Sequence, residues 1–282
     1  MQSSPKPDPP KAFACFESVA GRLDAGALVI CDHASNALPA EYGDLGLGGE
    51  AMRRHIAFDI GAALLTRRLA QALGAPAILS TFSRLLIDPN RGADDPTLVM
   101  RLSDGAAIPG NAGVDDAARA RRLALYWQPY RRAIGDALDA MIARGPPPVV
   151  LSIHSFTPIW RGTARPWQIG LLWDRDPRVV EPLLAALRAE PDMGPGAVGD
   201  NEPYDGALEG DMIDAAATSR GLANVLIEVR QDLIADNAGA IAWADRLARL
   251  VKPILAAGPY AISSQYGSRA ADKAVRRGEL RG

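Results

Sequence analysis

The sequence predicts a three-layer α/β fold, in which helices flank a mixed, mostly parallel sheet. Two observations support this prediction. Short apolar runs typical of buried strands alternate with longer segments of helical periodicity. In addition, several of the strand-like runs lead into polar residues that could bind a ligand or take part in catalysis. Strands of an open α/β sheet do this at the edge where ligands bind.

Composition and charge are those of an ordinary globular protein. The chain has 282 residues, 48% of them hydrophobic, and a formal net charge of −2 from 31 basic and 33 acidic residues. Without a basic excess, neither nucleic acid nor an anionic membrane is expected as a partner. Cys15 and Cys31 are the only cysteines, so no disulfide framework is expected. No apolar run approaches the ~18 residues of a membrane helix, and a cytoplasmic location is the expectation.

Three regions are expected along the chain. Residues 1–11 are rich in Ser, Pro and Lys and predict a disordered lead. Residues 12–262 predict a single folded domain. Residues 263–282 predict a polar tail. The sequence leaves the oligomeric state open.

The first half of the domain shows one long periodic segment between strand-like runs. Apolar residues recur at helical spacing from about residue 51 to residue 73, and Gly74, a residue typical of a helix C-cap, follows. Strands are predicted at 27–31, 77–82 and 85–88. Residues 92–113 are rich in Gly, Asp and Pro and predict a long loop, a feature that is often functional.

The second half continues the alternation of helix and strand. A long helix is predicted until prolines interrupt the chain at 146–148. In chain order, the predicted elements are a helix at 115–144, strands at 149–153 and 168–173, a helix at 179–189, a loop at 192–210, a strand at 224–229 and a helix at 238–256.

The first candidate functional residues are two histidines that follow strand-like runs. Only three histidines occur, and His33 and His154 follow the apolar runs ALVIC and VVLSI. Imidazole is the commonest metal ligand and a natural acid or base near neutral pH. Glu228 lies inside the apolar run VLIEV, where a carboxylate is costly unless it is paired or faces a site. A general base or a structural ion pair with Arg230 would each account for it.

Two further groups of residues have alternative interpretations. His55 and Asp59 are four residues apart on the predicted helix and would share a face. They could serve a metal or form a solvated ion pair. Residues 83–91 (SRLLIDPNR) surround a short apolar run with two arginines, an Asp and an Asn. Such a set could bind a carboxylate or form a salt-bridged turn.

Taken together, these segments resemble the N-formylglutamate amidohydrolase family, over about residues 25–255. The matching stretches, in order, are CDHASNALP at 31–39, HIAFDIGA at 55–62, SRLLIDPNR at 83–91, SDGAAIPGN at 103–111, SIHSFTP at 152–158, DNEPY at 200–204 and IEVRQDL at 227–233. The HSFTP and HASN variants resemble the broader amidohydrolase-like branch. The family is similar to the zinc carboxypeptidases and aspartoacylases, which share the predicted fold.

The resemblance implies a zinc-dependent hydrolase domain that cleaves a small N-acyl amino acid such as N-formylglutamate. It places His33 and His154 as zinc ligands and Glu228 as the general acid and base. Arg84 would polarise the scissile carbonyl. The substrate carboxylate would be bound by a group to which the resemblance assigns Asp88, Asn90, Arg91 and Tyr204.

One position departs from the pattern of the zinc carboxypeptidases. Their HxxE motif would place a glutamate at position 36, where this chain has Asn36, a poor zinc ligand. The resemblance then makes Asp59, at the family's acidic position on the first helix, the first candidate for the third ligand, and His55 is the second. The alternatives are a carboxypeptidase or deacylase for other small substrates and a metal-free anion-binding relative.

Overall fold

The computed structural model describes residues 13–258, 260 and 262–270. Strands and helices alternate along most of this part of the chain. The strands are β1 (Phe16–Val19), β2 (Ala27–Cys31), β3 (Ala77–Ser80), β4 (Leu102–Ser103), β5 (Ala106–Ala107), β6 (Val149–Phe156), β7 (Ile159–Trp160), β8 (Thr163–Ala164), β9 (Ile169–Leu172), β10 (Val198–Asp200) and β11 (Asn224–Arg230). The α-helices are α1 (Gly48–Ala51), α2 (Ala62–Leu73), α3 (Pro109–Ala112), α4 (Asp116–Arg122), α5 (Gln128–Ile142), α6 (Val180–Arg188), α7 (Met212–Ala216) and α8 (Asn237–Ala257). A π-helical segment, Leu123–Trp127, joins α4 to α5.

A seven-stranded sheet forms the centre of the fold, in the order β1-β3-β2-β6-β11-β9-β10. Strands β3, β2, β6 and β11 are parallel to one another. Strand β1 is antiparallel to β3, and β9 is antiparallel to β11 and parallel to β10. The predicted fold class, a mixed and mostly parallel sheet flanked by helices, is confirmed.

Helices cover both faces of the sheet, because alternate residues of its buried strands point to opposite sides. Val29 on β2 packs in the cluster that contains the apolar faces of α2, α6 and α8. Its neighbours Leu28 and Ile30 pack in a second cluster with α5 and α7. Because β3, β2, β6 and β11 are parallel, their C-terminal ends lie at the same edge of the sheet.

The prediction of one long helix at 51–73 was wrong over the first half of that segment. Helix α1 ends at Ala51 and α2 begins at Ala62, with turns between them. Gly61 has φ +81°, a left-handed conformation that favours glycine, and a Cβ there would lie 2.1 Å from the carbonyl oxygen of Ile234. His55 and Asp59 therefore lie on turns rather than on one face of a helix.

Several shorter elements also differ from the prediction. The segment at 85–88 forms turns rather than a strand, and the predicted loop at 192–210 contains β10. The loop at 92–113 contains the β4–β5 hairpin and α3. Strand β6 continues to Phe156, so His154 lies inside the strand rather than beyond its end. Short edge strands such as β1 and β10 carry too few apolar residues to show a period.

The two ends of the chain are described in part. The predicted lead at 1–11 lies outside the described residues. In the segment predicted as a tail, Arg269 donates hydrogen bonds to the backbone carbonyls of Trp173 and Asp174, at 2.7 Å and 3.0 Å. None of the helices in the described residues is long and apolar enough to cross a membrane.

Candidate active site

Three strongly buried side chains meet where β2 ends beside β6. His33 follows β2 after one residue, and His154 lies on β6. Asp59 comes from the turns before α2, and its backbone N–H donates to the carbonyl oxygen of His33 at 2.9 Å. This bond ties the turn to the strand end. Although Asp59 does not lie on a helix, this bond fixes its backbone beside both imidazoles.

The carboxylate of Asp59 lies between the two imidazole rings. Its Oδ2 atom is 2.8 Å from Nδ1 of His154 and 3.4 Å from Nδ1 of His33. One candidate ligand atom from each of the three residues lies within 4.8 Å of the others. Among the described residues, this is the group of His, Cys, Asp and Glu side chains that could hold a metal ion.

A carboxylate lies behind each ring and fixes its orientation. His33 donates from Nε2 to Oδ1 of Asp88 at 2.7 Å, and His154 Nε2 is 3.2 Å from Oδ2 of Asp32. Asp32 is held in turn by the hydroxyl of Tyr130, which donates to Oδ1 at 2.8 Å. Outer carboxylates of this kind set the tautomer of metal-binding histidines. With Nε2 directed at the outer carboxylate, Nδ1 of each ring faces Asp59.

The donor set fits a zinc ion. Nδ1 of His33 is buried and has no hydrogen-bond partner, although it faces the cluster. Two imidazole nitrogens and one carboxylate oxygen are ligands that zinc accepts in catalytic sites. His55 and Asn36 lie elsewhere. His55 Nε2 is 3.2 Å from Oδ2 of Asp104, and Asn36 donates to the carbonyl oxygen of Met52 at 2.8 Å.

The charged groups of the cluster shift one another's pKa values. Burial alone would raise the pKa of Asp59, but the charge of His33 and the hydrogen bond to His154 lower it well below its usual range. Burial lowers the pKa of His154, but hydrogen bonds to Asp32 and Asp59 more than offset this and raise its pKa well above its usual value. The site therefore strongly attracts positive charge.

Glu228 lies beside this cluster on the adjacent strand β11, in register with His154. Its side chain is buried, and Oε2 has no hydrogen-bond partner. Burial raises the pKa of Glu228 to about 7. A carboxyl group with this pKa can both accept and return a proton near neutral pH. Arg230 is the alternative partner for Glu228, but it pairs instead with Asp232. Nε of Arg230 lies 2.8 Å from Oδ1 of Asp232.

A pocket of about 310 Å³ opens above the cluster and Glu228. Four of the residues predicted for substrate or transition-state contacts line it: Arg84, Asn90, Arg91 and Tyr204. Its walls also include Trp160, His55 and Asp104. The sequence segments at 33, 55–59, 84–91, 154, 204 and 228 thus converge on one cavity.

Arg84 reaches the pocket above a buried carboxylate. It donates from Nη2 and Nε to Oδ2 of Asp88, at 2.7 Å and 3.1 Å, and its Nη1 lies 3.8 Å from Oδ1 of Asp59. Asp88 was predicted to contact substrate. Its side chain is fully buried, and its two oxygens accept hydrogen bonds from Arg84 and His33. Asp88 thereby links the orientation of Arg84 to that of His33.

Asn90 and Arg91 form another part of the wall. The amide oxygen of Asn90 accepts a hydrogen bond from the backbone N–H of Met212 at 3.0 Å, which leaves its NH₂ group as a donor for a ligand. Arg91 donates from Nη1 to the carbonyl oxygen of Asn90 at 2.8 Å and from Nε to the hydroxyl of Thr97 at 3.3 Å. Backbone and hydroxyl acceptors hold this guanidinium, so its charge can pair with an anion.

The site includes residues to which the sequence assigned no role. Asp32 lies beside His33 at the end of an apolar run, but only its position, and not its contact with His154, could be predicted. Tyr130 could not be predicted, because it lies 98 residues from Asp32 in the chain. Asp211 lines the pocket, caps α7, and has a pKa that burial raises to about 7.

Fold and site together define a three-layer α/β protein with a buried histidine–carboxylate cluster at the bottom of a small pocket. Residues 25–235 match the family model described as N-formylglutamate amidohydrolase, and the chain belongs to that family of amidohydrolases. A similar solved structure is the gene product Atu2144 from Agrobacterium tumefaciens. It is 32% identical, has a TM-score of 0.79, and the match covers 87% of this chain and 96% of that one.

A second solved structure is more distant. The N-formylglutamate amidohydrolase from Ralstonia eutropha JMP134 is 22% identical to this chain, with a TM-score of 0.63 and coverage of 87% of this chain and 98% of that one. At this identity the likeness shows a shared fold. No curated protein matches the chain.

Proposed function

We propose that this amidohydrolase depends on zinc and cleaves the amide bond of a small N-formyl or other N-acyl amino acid, with N-formylglutamate as the leading candidate. One observation carries the proposal. The buried group of His33, Asp59 and His154 shares a pocket with Glu228, a carboxyl group whose pKa burial raises to about 7. Family membership supports the reaction class.

His33, Asp59 and His154 would hold the zinc ion through two Nδ1 atoms and one carboxylate oxygen. When bound, zinc supplies a Lewis acid that polarises a carbonyl group and increases the acidity of water. Asp88 and Asp32 keep both rings in the tautomer that this role requires. Asp88 is thus assigned to positioning rather than to direct contact with substrate.

Glu228 acts as the general base and then as the general acid. It accepts a proton from the attacking water, whose oxygen forms a bond to the acyl carbon. It then delivers this proton to the amide nitrogen as the C–N bond breaks. The products are a carboxylic acid, which is formate for an N-formyl substrate, and a free amino acid. The unpartnered Oε2 supports this role, because no protein group competes for the proton.

Arginine side chains stabilise the charges on the substrate. Arg84, which Asp88 orients, stabilises the negative charge that develops on the acyl oxygen. The guanidinium of Arg91 and the amide NH₂ of Asn90 bind the α-carboxylate. These contacts orient the scissile bond toward Glu228, and orientation of this kind contributes substantially to rate.

A combined measurement of metal content and hydrolysis tests the proposal. The purified protein should contain about one zinc ion per chain by elemental analysis, and zinc-loaded protein should hydrolyse N-formyl or N-acetyl amino acids. A chelated sample serves as the matched control and should regain activity when zinc is restored. The proposal fails if zinc-loaded protein hydrolyses no compound in a panel of N-formyl, N-acetyl and dipeptide substrates.

A further inference from the structure

A buried arginine lies behind one wall of the pocket. Arg165 follows β8, and only 8% of its surface is exposed. Its guanidinium carbon lies 5.0 Å from the ring centroid of Tyr204, 5.3 Å from that of Trp160 and 5.7 Å from that of Phe156. Aromatic rings can stabilise a cation partly removed from water, but they do not neutralise its charge.

The hydrogen bonds of Arg165 leave its charge uncompensated. Its Nη1 atom donates to the hydroxyl of Tyr204 at 3.0 Å and makes longer contacts to Thr157, at 3.4 Å and 3.5 Å. Within the described part of the chain, no Asp or Glu side chain forms an ion pair with it. A buried charge without a counterion is costly, which makes this guanidinium a candidate for binding an anion.

Arg178 is an example of a buried arginine that is satisfied by a carboxylate. Its side chain is 6% exposed. It donates to both carboxylate oxygens of Asp176, at distances between 2.6 Å and 3.1 Å, and to the carbonyl oxygen of Gly221 at 2.9 Å. Arg165 is buried to a similar degree but has no such carboxylate.

The surroundings of Arg165 belong to the pocket of the proposed reaction. Phe156, Thr157, Trp160 and Tyr204 all line the cavity that contains Glu228. The backbone is also fixed relative to the reacting groups. The N–H of Arg165 donates to the carbonyl oxygen of Pro158 at 2.8 Å, and Arg230, two residues beyond Glu228, donates to the carbonyl oxygen of Arg165 at 3.3 Å.

We propose that Arg165 and Tyr204 form a second anion subsite, which binds a carboxylate on the side chain of the substrate. The inference rests on the proposed function, in which Arg91 binds the α-carboxylate. A substrate with an acidic side chain carries two carboxylates and requires two cations. Arg84 is assigned to the acyl oxygen in the proposed function, so Arg91 and Arg165 are the cations for these two groups. Because Tyr204 accepts a hydrogen bond from Arg165, its own hydroxyl hydrogen can be donated to the ligand.

Substrate discrimination by an Arg165→Met variant tests the subsite. N-formyl-L-glutamate and N-formyl-L-glutamine have nearly the same shape, but only the first has a side-chain carboxylate. Zinc-loaded wild-type protein should prefer the glutamate compound. The variant should lose about 10- to 150-fold in kcat/KM on the glutamate compound, mainly through KM. Its loss on the glutamine compound should be much smaller.

Arg161→Met is the matched control. Arg161 is exposed on the turn of the β7–β8 hairpin and lies 5.7 Å over the ring of Trp160, without the contact to Tyr204 that Arg165 makes. Its replacement removes the same charge from the same hairpin and should preserve the preference for glutamate. Arg165→Lys keeps the charge and should retain part of the preference. Melting temperatures of all three variants show whether each is folded.

Binding of glutarate provides a readout that does not depend on turnover. Calorimetry should show that wild-type protein binds glutarate more tightly than its monoamide, and that Arg165→Met removes this difference. The subsite would be overturned if Arg165→Met lost the same factor in kcat/KM on the glutamate and glutamine substrates. Equal binding of glutarate and its monoamide by wild-type protein would also overturn it. Absence of hydrolysis together with preferential glutarate binding would instead reject the proposed reaction and retain the subsite.

Discussion

The floor and the rim of the pocket are built in different ways. The floor consists of His33, Asp59, His154 and the two carboxylates behind the rings, Asp32 and Asp88. All five are at most 5% exposed, and distances of 2.7–3.4 Å join the imidazole nitrogens to the neighbouring carboxylate oxygens. The rim consists of the β4–β5 and β7–β8 hairpins and Tyr204. Trp160 on the rim is 36% exposed and Tyr204 is 44% exposed.

The difference follows from where each part is attached. The floor is supported by the central strands β2 and β6, and groups placed there serve any substrate that enters. The rim is supported by hairpins with strands of two residues each, which can change in sequence without disturbing the sheet. Substitutions in the floor should therefore affect metal binding and turnover for every substrate. Substitutions at the rim should alter the choice of substrate.

The largest expected effect comes from replacement of the floor histidines. His33→Ala and His154→Ala should each abolish stoichiometric zinc binding and reduce hydrolysis to background, because a tetrahedral site cannot be completed. Elemental analysis and activity toward two different N-acyl amino acids measure both properties. Circular dichroism checks the fold. Full zinc occupancy in both variants would contradict the metal site.

Asp59 and His55 provide a matched pair across the boundary between floor and rim. Asp59→Ala should strongly weaken zinc binding, because Oδ2 of Asp59 lies between the two imidazoles. His55→Ala should change zinc affinity much less, since its Nε2 lies near Asp104 at the rim. Competition with a chromogenic chelator gives both affinities. A greater loss in the His55 variant would mean that the third ligand has been assigned to the wrong residue.

Glu228→Gln should reduce kcat by about 10²–10⁴ and leave zinc content unchanged, because Gln retains the shape of the side chain but cannot accept the proton. The variant should also be at least as stable as wild-type protein above pH 7. A raised pKa means that folding opposes ionisation of Glu228, and this cost is present above about pH 7 and disappears as the pH falls below its unfolded value. Gln removes the cost.

The outcome for Glu228 separates catalysis from structure. A structural carboxylate predicts a lower melting temperature and normal turnover per folded molecule. Measurements of melting temperature, zinc stoichiometry and kcat on a single preparation distinguish the two. A kcat close to that of wild-type protein would remove Glu228 from the mechanism.

The comparison of floor and rim also describes what the sequence could predict. His154 and Glu228 lie on strongly apolar strands that the sequence identifies, and His33 follows a third, so their convergence follows from the fold class. Asp59 was assigned through the family resemblance and placed on a helix that does not exist, since residues 52–61 form turns and bends. It reaches the cluster because its backbone bonds to His33 across the fold.

The remaining contacts depend on tertiary structure that no local pattern encodes. Tyr130 and Asp32 are 98 residues apart, and Tyr204 and Arg165 are 39 apart. Each pair is brought together by strand order and by hairpin placement rather than by spacing along one element. Sequence patterns therefore predict which strands contribute to the site more successfully than they predict which residues support or surround it.

The smallest expected effect is on substrate affinity at Arg91. Arg91→Ala should raise KM for substrates with a free α-carboxylate by about 10- to 150-fold, since a charge-assisted pair contributes roughly 1.5–3 kcal/mol. Zinc content and kcat at saturation should change little, because Arg91 lies outside the floor. Amidated substrates lack the α-carboxylate, so they should be poor for wild-type protein and should lose little more in the variant.

Arg101→Ala is the control for Arg91, since Arg101 is exposed and is not among the residues that line the pocket. It should leave KM for both kinds of substrate near the wild-type value. Equal losses on acid and amide substrates in Arg91→Ala would show that Arg91 supports the wall through Asn90 and Thr97 rather than binding substrate. A fall in the zinc content of Arg91→Ala would contradict the division between floor and rim, because a residue outside the floor would then affect metal binding.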